Sequence, residues 1–260
     1  MTTQQAHQLT LFRGSDDAGE FAWSPFVTKL EFRLRVSNAP YTREIGSALN
    51  APRKKIPYLD LTTPDGGIVH LSDTTWTIRD LIKRGILPSL NARLSPTQNA
   101  IDVAVRGMLE EKLFFLQSHE RWIVNYETMR DKVLAAVPFP QRNVVGENTK
   151  NEIIRKLDYQ GIGRFTYAEM RELIEEIWTA LNALLQESKS KAEPGECFWL
   201  LGGSEPTEAD ATVFGFSISS QRCKSGPETG ELVRTKHPVV LEYARRIQEK
   251  YFVDYAPFDA

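Results

Sequence analysis

The sequence predicts a small α/β region at residues 1–88, followed by a larger all-helical region at residues 95–260. Two observations support this prediction. Short apolar segments alternate with helical patterns up to about residue 85, in the order β-α-β and then β-β-α. Beyond residue 95 the strand patterns end, and apolar residues recur at helical spacing. The chain therefore divides into two domains of different class.

The elements of the first region are set by apolar spacing and turn residues. Val27, Leu30 and Leu34 fall on one helical face, which predicts a helix after the first strand. The segment TTPDG has Pro-Asp-Gly turn chemistry, so the two strands that flank it should form an antiparallel hairpin. Gly85 is well placed to end the helix that follows. The predicted order is a strand at 8–13, a helix at 25–37, strands at 40–45, 56–61 and 67–71, and a helix at 72–85.

The second region begins with a helix-starting signal. Ser95 and Gln98 form a capping box with Pro96 at the first helical position, which predicts a long helix from 96 to about 126. Further helical patterns cover 127–137 and 167–187, and a polar loop, KSKAEPGE, follows. Two more helices should start at the capping pair of Thr207 and Asp210, and at HPVVLEYARRIQEKY near the end.

Composition narrows the possible functions. Of 260 residues, 41% are hydrophobic and 25% are charged, which is typical of a globular protein. The net charge of -2 and the lack of a basic block argue against nucleic acid as a partner. No apolar run is long enough to span a membrane, and the first residues lack signal-peptide features. Two cysteines, Cys197 and Cys223, form no metal-binding pattern and favour a reducing, cytoplasmic setting with free thiols.

Several motifs together resemble the glutathione transferase superfamily. In the first region these are SPFV after the first strand, KKIPYL before the hairpin, and LSDTTWTI at the following helix. In the second region, YQGIGRFTYAEM and LLGGSEPTEADATVFGF resemble the failed-axon-connections and metaxin-like branch of that superfamily. The resemblance covers nearly the whole chain. It implies a thioredoxin-like α/β domain that binds glutathione and an all-α domain that contributes the pocket for an electrophile.

Ser24 is the candidate catalytic residue under this resemblance. Redox members of the superfamily carry C-P-x-C at this helix start, whereas Ser24 and Val27 replace both sulfurs here, which excludes disulfide exchange through this motif. A serine hydroxyl at a helix N-terminus could stabilise the thiolate of bound glutathione. The alternative is that Ser24 only caps the helix.

The resemblance also implies a glutathione-binding set of six residues. A cis peptide at Ile56–Pro57 would let the Ile56 backbone pair with a peptide ligand like a strand edge. Basic side chains before it would meet the glycine carboxylate, and an acid and a hydroxyl at the next helix start would meet the γ-glutamyl group. Solvated lysines and ordinary N-capping by Ser72 or Asp73 are the alternatives. The set is Lys54, Lys55, Ile56, Pro57, Asp73 and Thr74.

A second substrate would occupy an apolar cleft between the domains. The segment KLFFLQSHERWIVNYE is dense in aromatic residues, and one helix cannot expose all of them cheaply. We take Phe26, Phe115 and Trp122 as candidate substrate-binding residues.

Three functions are compatible with these residues. The first is a glutathione transferase that adds the activated thiol to a small apolar electrophile. The second is a glutathione-dependent cis–trans isomerase of a conjugated metabolite in a biosynthetic pathway, such as secondary metabolism. The third is a non-enzymatic, metaxin-like adaptor. The resemblance further implies a homodimer.

Overall fold

The computed structural model of the chain describes residues 7–16 and 18–259. The α/β region contains a four-stranded sheet in the order β2-β1-β3-β4, in which β1 and β2 are parallel and the other pairs are antiparallel. Residues 1–6 of the predicted first domain and residue 260 of the second lie outside the described part of the chain. The elements are β1 (Gln8–Phe12), α1 (Pro25–Val36), β2 (Tyr41–Glu44), β3 (Tyr58–Thr62), β4 (Ile68–Ser72) and α2 (Thr74–Lys83).

Aliphatic residues join the sheet to its two helices. Leu9 and Leu11 alternate with partly exposed positions along β1, as a half-buried strand requires. Leu59 and Leu61 lie opposite them on β3, and α1 and α2 cover the sheet with further aliphatic side chains. The helical spacing predicted a single buried stripe on α1, yet nine of the ten residues from Pro25 to Leu34 are buried, and Phe26 is the exception. The reason is that α1 is sandwiched between the sheet and the helical region.

The helical region is continuous in sequence from Pro96. Its predicted capping box is confirmed, because Gln98 N donates to Ser95 Oγ and Ser95 N donates to Gln98 Oε1. Within the described residues all strands precede residue 73, so the predicted fold class is confirmed. The helices are α3 (Pro96–Gly107), α4 (Phe114–His119), α5 (Tyr126–Val133), α6 (Gln141–Gln160), α7 (Tyr167–Ser190), α8 (Glu208–Arg222), α9 (Pro227–Lys236) and α10 (Pro238–Tyr251).

The predicted long helix is present, but it is not a uniform α-helix. Two π-helical segments, Met108–Leu113 and Glu120–Val124, lie before and after α4. The helix then breaks at Asn125, and α5 begins. Apolar periodicity does not reveal such segments, because a π-turn adds a single residue to the local repeat.

Helices α6 and α9 were absent from the sequence prediction. In α6 only Gly146 and Leu157 of twenty residues are buried, so no apolar stripe marks the helix in the sequence. In α9 the buried residues are Thr229, Gly230 and Val233, which likewise give a weak apolar signal. Both helices are held by packing that the sequence pattern does not display.

The core of the helical region surrounds α8. Every residue from Ala209 to Ser220 is buried. Asp210 at its start confirms the predicted capping pair: its carboxylate accepts hydrogen bonds of 2.8 Å from both the backbone N–H and the hydroxyl of Thr207. The same carboxylate accepts from Leu200 N at 2.8 Å and Tyr243 Oη at 2.9 Å. Complete burial raises the pKa of Asp210 despite these hydrogen bonds.

Helix α8 packs closely against α1. A Cβ atom at Gly215 would lie 2.3 Å from the carbonyl oxygen of Pro25. Glycine is therefore needed for α8 to approach the first turn of α1. One turn later, Ser219 Oγ donates to the carbonyl of Trp23 at 2.6 Å. Helix α8 thereby fixes the chain immediately before and after Ser24.

Other sequence expectations can be compared directly. Cys197 and Cys223 are both free thiols. Among the described helices, none is long and apolar enough to cross a membrane.

Candidate active site

A cavity of about 440 Å³ lies between the two regions. One wall is formed by the start of α1, the loop before β3 and the start of α2. The long helix and α6 form the other wall. The cavity brings together all ten residues that the sequence selected, and their individual roles remain predictions: Ser24, Phe26, Lys54, Lys55, Ile56, Pro57, Asp73, Thr74, Phe115 and Trp122.

Ser24 occupies the N-cap position of α1 with extended backbone angles, φ -77° and ψ 122°. Its side chain makes no capping hydrogen bond to α1. The half-buried Ser24 hydroxyl is thus on the cavity wall, and the structure does not support the alternative that it serves as a side-chain cap.

The loop before β3 places two lysines and a cis proline along the cavity. The Ile56–Pro57 peptide bond is cis. Lys54 has a left-handed backbone, φ 55°, and its ammonium donates to the Leu49 carbonyl at 2.7 Å. Lys55 is exposed and forms no ion pair within the described part of the chain. Of the two lysines predicted to bind a carboxylate, Lys55 therefore has the fewer contacts with the protein.

The start of α2 combines an engaged carboxylate with a free hydroxyl. Asp73 Oδ1 accepts from the N–H groups of Thr75 and Trp76 at 3.1 and 3.3 Å, so Asp73 caps the helix as the alternative interpretation proposed. Its φ of 73° is unusual for a residue with a Cβ, and such strained positions often occur at functional sites. Thr74 is buried, and its hydroxyl bonds to no other described residue.

Aromatic rings cover the opposite wall. Phe114, which the sequence prediction did not select, meets Phe26 edge to face with ring centroids 5.2 Å apart. Phe115 meets Phe114 in the same way at 5.4 Å. Trp122 is 9% exposed and continues this surface, and the α6 residues Ile153 and Leu157 complete it. Edge-to-face rings present an ordered apolar surface that suits a flat ligand.

Charged residues on the helical wall were also missed by the sequence prediction. Glu110 lines the cavity, and its Oε1 accepts from Lys29 Nζ at 2.7 Å and Thr212 Oγ1 at 2.8 Å. Lys29 also lies 3.5 Å from the Thr75 hydroxyl, which places Glu110 beside the start of α2. The spacing of Glu110, Phe114 and Ser118 at four-residue intervals was the available signal. The other lining residues that were missed are Glu111, Lys156 and the α6 pair named above.

The cavity is consequently polarised. Carboxylates from Asp73 and Glu110 lie at the α2 end, whereas Lys54 and Lys55 lie on the loop before β3. A ligand with an ammonium group and a distant carboxylate has complementary charge to this arrangement. The Ser24 hydroxyl, the buried Thr74 hydroxyl and the loop that contains Ile56 and Pro57 all line this cavity.

The fold can be compared with those of known proteins. Residues 25–129 match the family model described as the glutathione S-transferase N-terminal domain, a segment that runs from α1 into α5. A thioredoxin-like domain plus a helical region is accordingly the fold of this chain.

Solved structures of that fold cover almost the whole chain. A glutathione S-transferase from Rhodospirillum rubrum F11 has a TM-score of 0.56 at 14% identity, covering 97% of this chain and 91% of its own. A glutathione S-transferase from Methylobacterium radiotolerans JCM 2831, in complex with glutathione sulfonate, has a TM-score of 0.55 at 16% identity and covers 96% of both chains.

A third structure is a maleylacetoacetate isomerase from Anaeromyxobacter dehalogenans 2CP-1 with bound dicarboxyethyl glutathione and citrate. Its TM-score is 0.51 at 13% identity, with 97% of this chain and 94% of its own covered. These likenesses, at 13–16% identity, show the fold that this chain shares with the three proteins. The narrower resemblance to the failed-axon-connections and metaxin-like branch remains a prediction.

Proposed function

We propose that this protein is a glutathione-dependent transferase that joins the glutathione thiol to a small electrophile. The observation that carries the proposal is the Ser24 hydroxyl, which makes no cap and faces a cavity with a polar, peptide-sized half and an aromatic half. Two of the solved structures of this fold hold glutathione derivatives, which is consistent with the same ligand here.

The polar half matches the groups of glutathione. The Thr74 hydroxyl is a donor for the γ-glutamyl carboxylate, and the unused oxygen of Asp73 accepts from its ammonium. The loop at Ile56–Pro57 offers backbone groups to the peptide, as a strand edge does. Lys55 provides charge for the terminal carboxylate, with Lys54 held more firmly by Leu49.

Ser24 has the role of holding negative charge at sulfur. Bound glutathione would supply a thiolate nucleophile. The Ser24 O–H donates to that sulfur, and the N-terminal end of α1 adds its favourable dipole. Lowering a thiol pKa from about 8.5 by one to two units raises the thiolate fraction at neutral pH by roughly ten- to thirtyfold.

Calorimetric titration with glutathione is the first test of this proposal. We expect saturable binding by the wild-type chain and weaker binding by Thr74→Val. Absence of binding would reject both enzymatic functions and leave the adaptor alternative. If glutathione binds, incubation with a conjugated enone and labelled glutathione separates transfer from isomerisation, because only transfer leaves the label in the product.

A homodimer is part of the proposal. Ile68 on β4 and Trp76 on α2 are 59% and 55% exposed, and apolar side chains of this size on a folded surface suit burial against a second copy. Light scattering at micromolar concentration should give twice the mass of the chain, and a monomer would contradict this part of the proposal.

A further inference from the structure

Lys156 places a positive charge in the aromatic half of the cavity. It lies on α6 between Ile153 and Leu157, and all three line the cavity. Helix α6 packs against α4 and the second π-helical segment, which carry Phe114, Phe115 and Trp122. Lys156 therefore belongs to the aromatic surface and not to the polar half where glutathione is proposed to bind.

Nothing in the cavity neutralises this charge strongly. The partner of Lys156 is Glu152, one turn earlier on α6, at 2.9 Å. Both side chains are about half exposed, and an exposed i,i+4 pair of this kind contributes only about 0.3–0.5 kcal/mol. The ammonium can therefore leave Glu152 for a ligand at little cost.

The cavity carboxylates form no ion pair with Lys156. Glu110 lies beside the start of α2 and is engaged by Lys29 and Thr212. Glu111 follows it on the first π-helical segment, and Asp73 caps α2. The aromatic half thus combines edge-to-face rings with a weakly paired cation on α6.

We propose that the second substrate is a planar aromatic acid, whose ring lies against Phe114 and Phe115 and whose carboxylate pairs with Lys156. This inference rests on the proposed function for the reaction, but the binding it describes does not require turnover. It makes Lys156 a specificity-determining residue, a role that neither the motifs nor the superfamily resemblance indicated.

A chloronitrobenzoate has the required chemistry. A sulfur–carbon bond forms at the ring carbon that carries chlorine, chloride leaves with the bonding electrons, and the thiol proton goes to water. The carboxylate takes no part in these bond changes, so it reports on binding alone. The amide of the same acid has the same ring and no charge.

Binding of the acid and the amide to Lys156→Gln tests the inference. We expect the dissociation constant of the acid, measured by calorimetry without glutathione, to rise about fivefold, which corresponds to roughly 1 kcal/mol. Binding of the amide should not change. Arg155→Gln is the matched control, because Arg155 is exposed on the same helix, does not line the cavity and carries the same charge.

Other outcomes are equally informative. Equal losses for acid and amide, or an equal effect of Arg155→Gln, would overturn the proposal. Lys156→Arg should restore selectivity for the acid, which a purely structural role of Lys156 would not explain. If glutathione fails to bind while the acid still discriminates between wild type and Lys156→Gln, the proposed function fails and this site stands. If glutathione binds and the acid does not, the proposed function stands and the Lys156 site is rejected.

Discussion

The polar residue at the start of α1 and the charged residues along the rest of the helix have different surroundings. At its start, Ser24 faces the cavity and caps nothing. Along the rest of the helix, four charged residues at alternate positions are paired with the helical region. We call these four residues and their partners the charged seam: Lys29 with Glu110, Glu31 with Tyr255, Arg33 with Glu208, and Arg35 with Asp254.

Three of the four α1 residues in the seam, Lys29, Glu31 and Arg33, are buried, whereas the Arg35–Asp254 pair is partly exposed. Arg33 is fully buried and meets both oxygens of Glu208 at 2.9 and 3.0 Å. The Tyr255 hydroxyl donates to Glu31 at 2.6 Å, although burial still raises the pKa of that carboxyl. Arg35 also covers the ring of Phe252, with its guanidinium carbon 4.3 Å from the ring centroid. The last turn of the chain is thereby joined to the α/β region.

The charged seam holds the two regions together, whereas the Ser24 hydroxyl is available to a ligand. Breaking a buried ion pair leaves an uncompensated charge, which is expensive. A hydroxyl on a cavity wall has no such partner, so its removal should affect the ligand and leave the fold nearly unchanged. The following experiments challenge this division, from the largest expected effect to the smallest.

Glu208→Gln should have the largest effect on stability. It removes the charge opposite the fully buried Arg33, and we expect the free energy of unfolding in urea to fall by about 3 kcal/mol. Glu205→Gln is the control, because its pair with Arg93 is exposed and should contribute less than about 1 kcal/mol. Similar losses in both variants would show that the seam is no stronger than a surface pair.

Ser24→Ala should act on the reaction and spare the fold. We expect turnover at neutral pH to fall about ten- to a hundredfold, as for the loss of a 1.5–3 kcal/mol hydrogen bond to a charged group. The pKa of bound glutathione, followed by ultraviolet absorbance of its thiolate, should rise, while the melting temperature stays constant.

Thr74→Val provides the complementary variant. Glutathione affinity should weaken, with a smaller effect on the pKa of the bound thiol.

An identical thiolate titration in wild type and Ser24→Ala would remove Ser24 from the mechanism. A lower melting temperature with an unchanged thiol pKa would instead identify Ser24 as a structural residue.

Gly215→Ala should lower both stability and turnover. The new methyl group would meet the Pro25 carbonyl at 2.3 Å, so α8 or the first turn of α1 must move. We expect a loss of about 1–3 kcal/mol in stability, as for other overpacked interiors. Turnover should fall beyond what stability explains, because Ser24 directly precedes Pro25. Gly107→Ala, with nothing within 4 Å of its Cβ position, is the control and should be neutral or stabilising.

Acid should weaken the Arg35–Asp254 contact by a small amount. Hydrogen bonds from Arg35 hold the pKa of Asp254 below its ordinary value of 3.8. The contribution of Asp254 is therefore fully present above pH 3.8 and is lost as pH falls through the lower folded pKa. We expect Asp254→Asn to cost less than about 1 kcal/mol near neutral pH, since Asp254 is partly exposed, and nothing in strong acid. An unfolding difference that persists in strong acid would contradict this.

The α/β region could be predicted almost entirely from the sequence. Its strands alternate apolar and polar residues, TTPDG marks the hairpin turn, and each observed boundary lies within about two residues of the predicted one. Local signals suffice there because each strand and helix carries its own apolar pattern, and a short turn joins β3 to β4. The helical region was less accessible: α6 buries too few apolar residues to show a periodic stripe.

The candidate site divides in the same way. Motifs identified the polar half, because Ser24, Pro57 and Asp73 each lie next to the predicted start of a helix or strand. Glu110, Phe114 and Lys156 carry no motif, and they reach the cavity through the packing of distant helices. The contacts of Lys29 with Glu110 and of Ser219 with Trp23 join residues more than eighty positions apart, and no local pattern encodes such pairs.

The π-helical segments of the long helix have a consequence for comparing this chain with its relatives. Each π-turn accommodates one residue more than an α-turn would, so the helix face is displaced by one position beyond it. Met108–Leu113 precedes Phe114 and Phe115, and Glu120–Val124 contains Trp122. A relative with an ordinary α-helix and the same number of residues here would align without a gap, yet a different residue would occupy each place on the cavity wall. Equivalent substrate contacts should therefore be assigned by superposing structures and not by matching columns of an alignment.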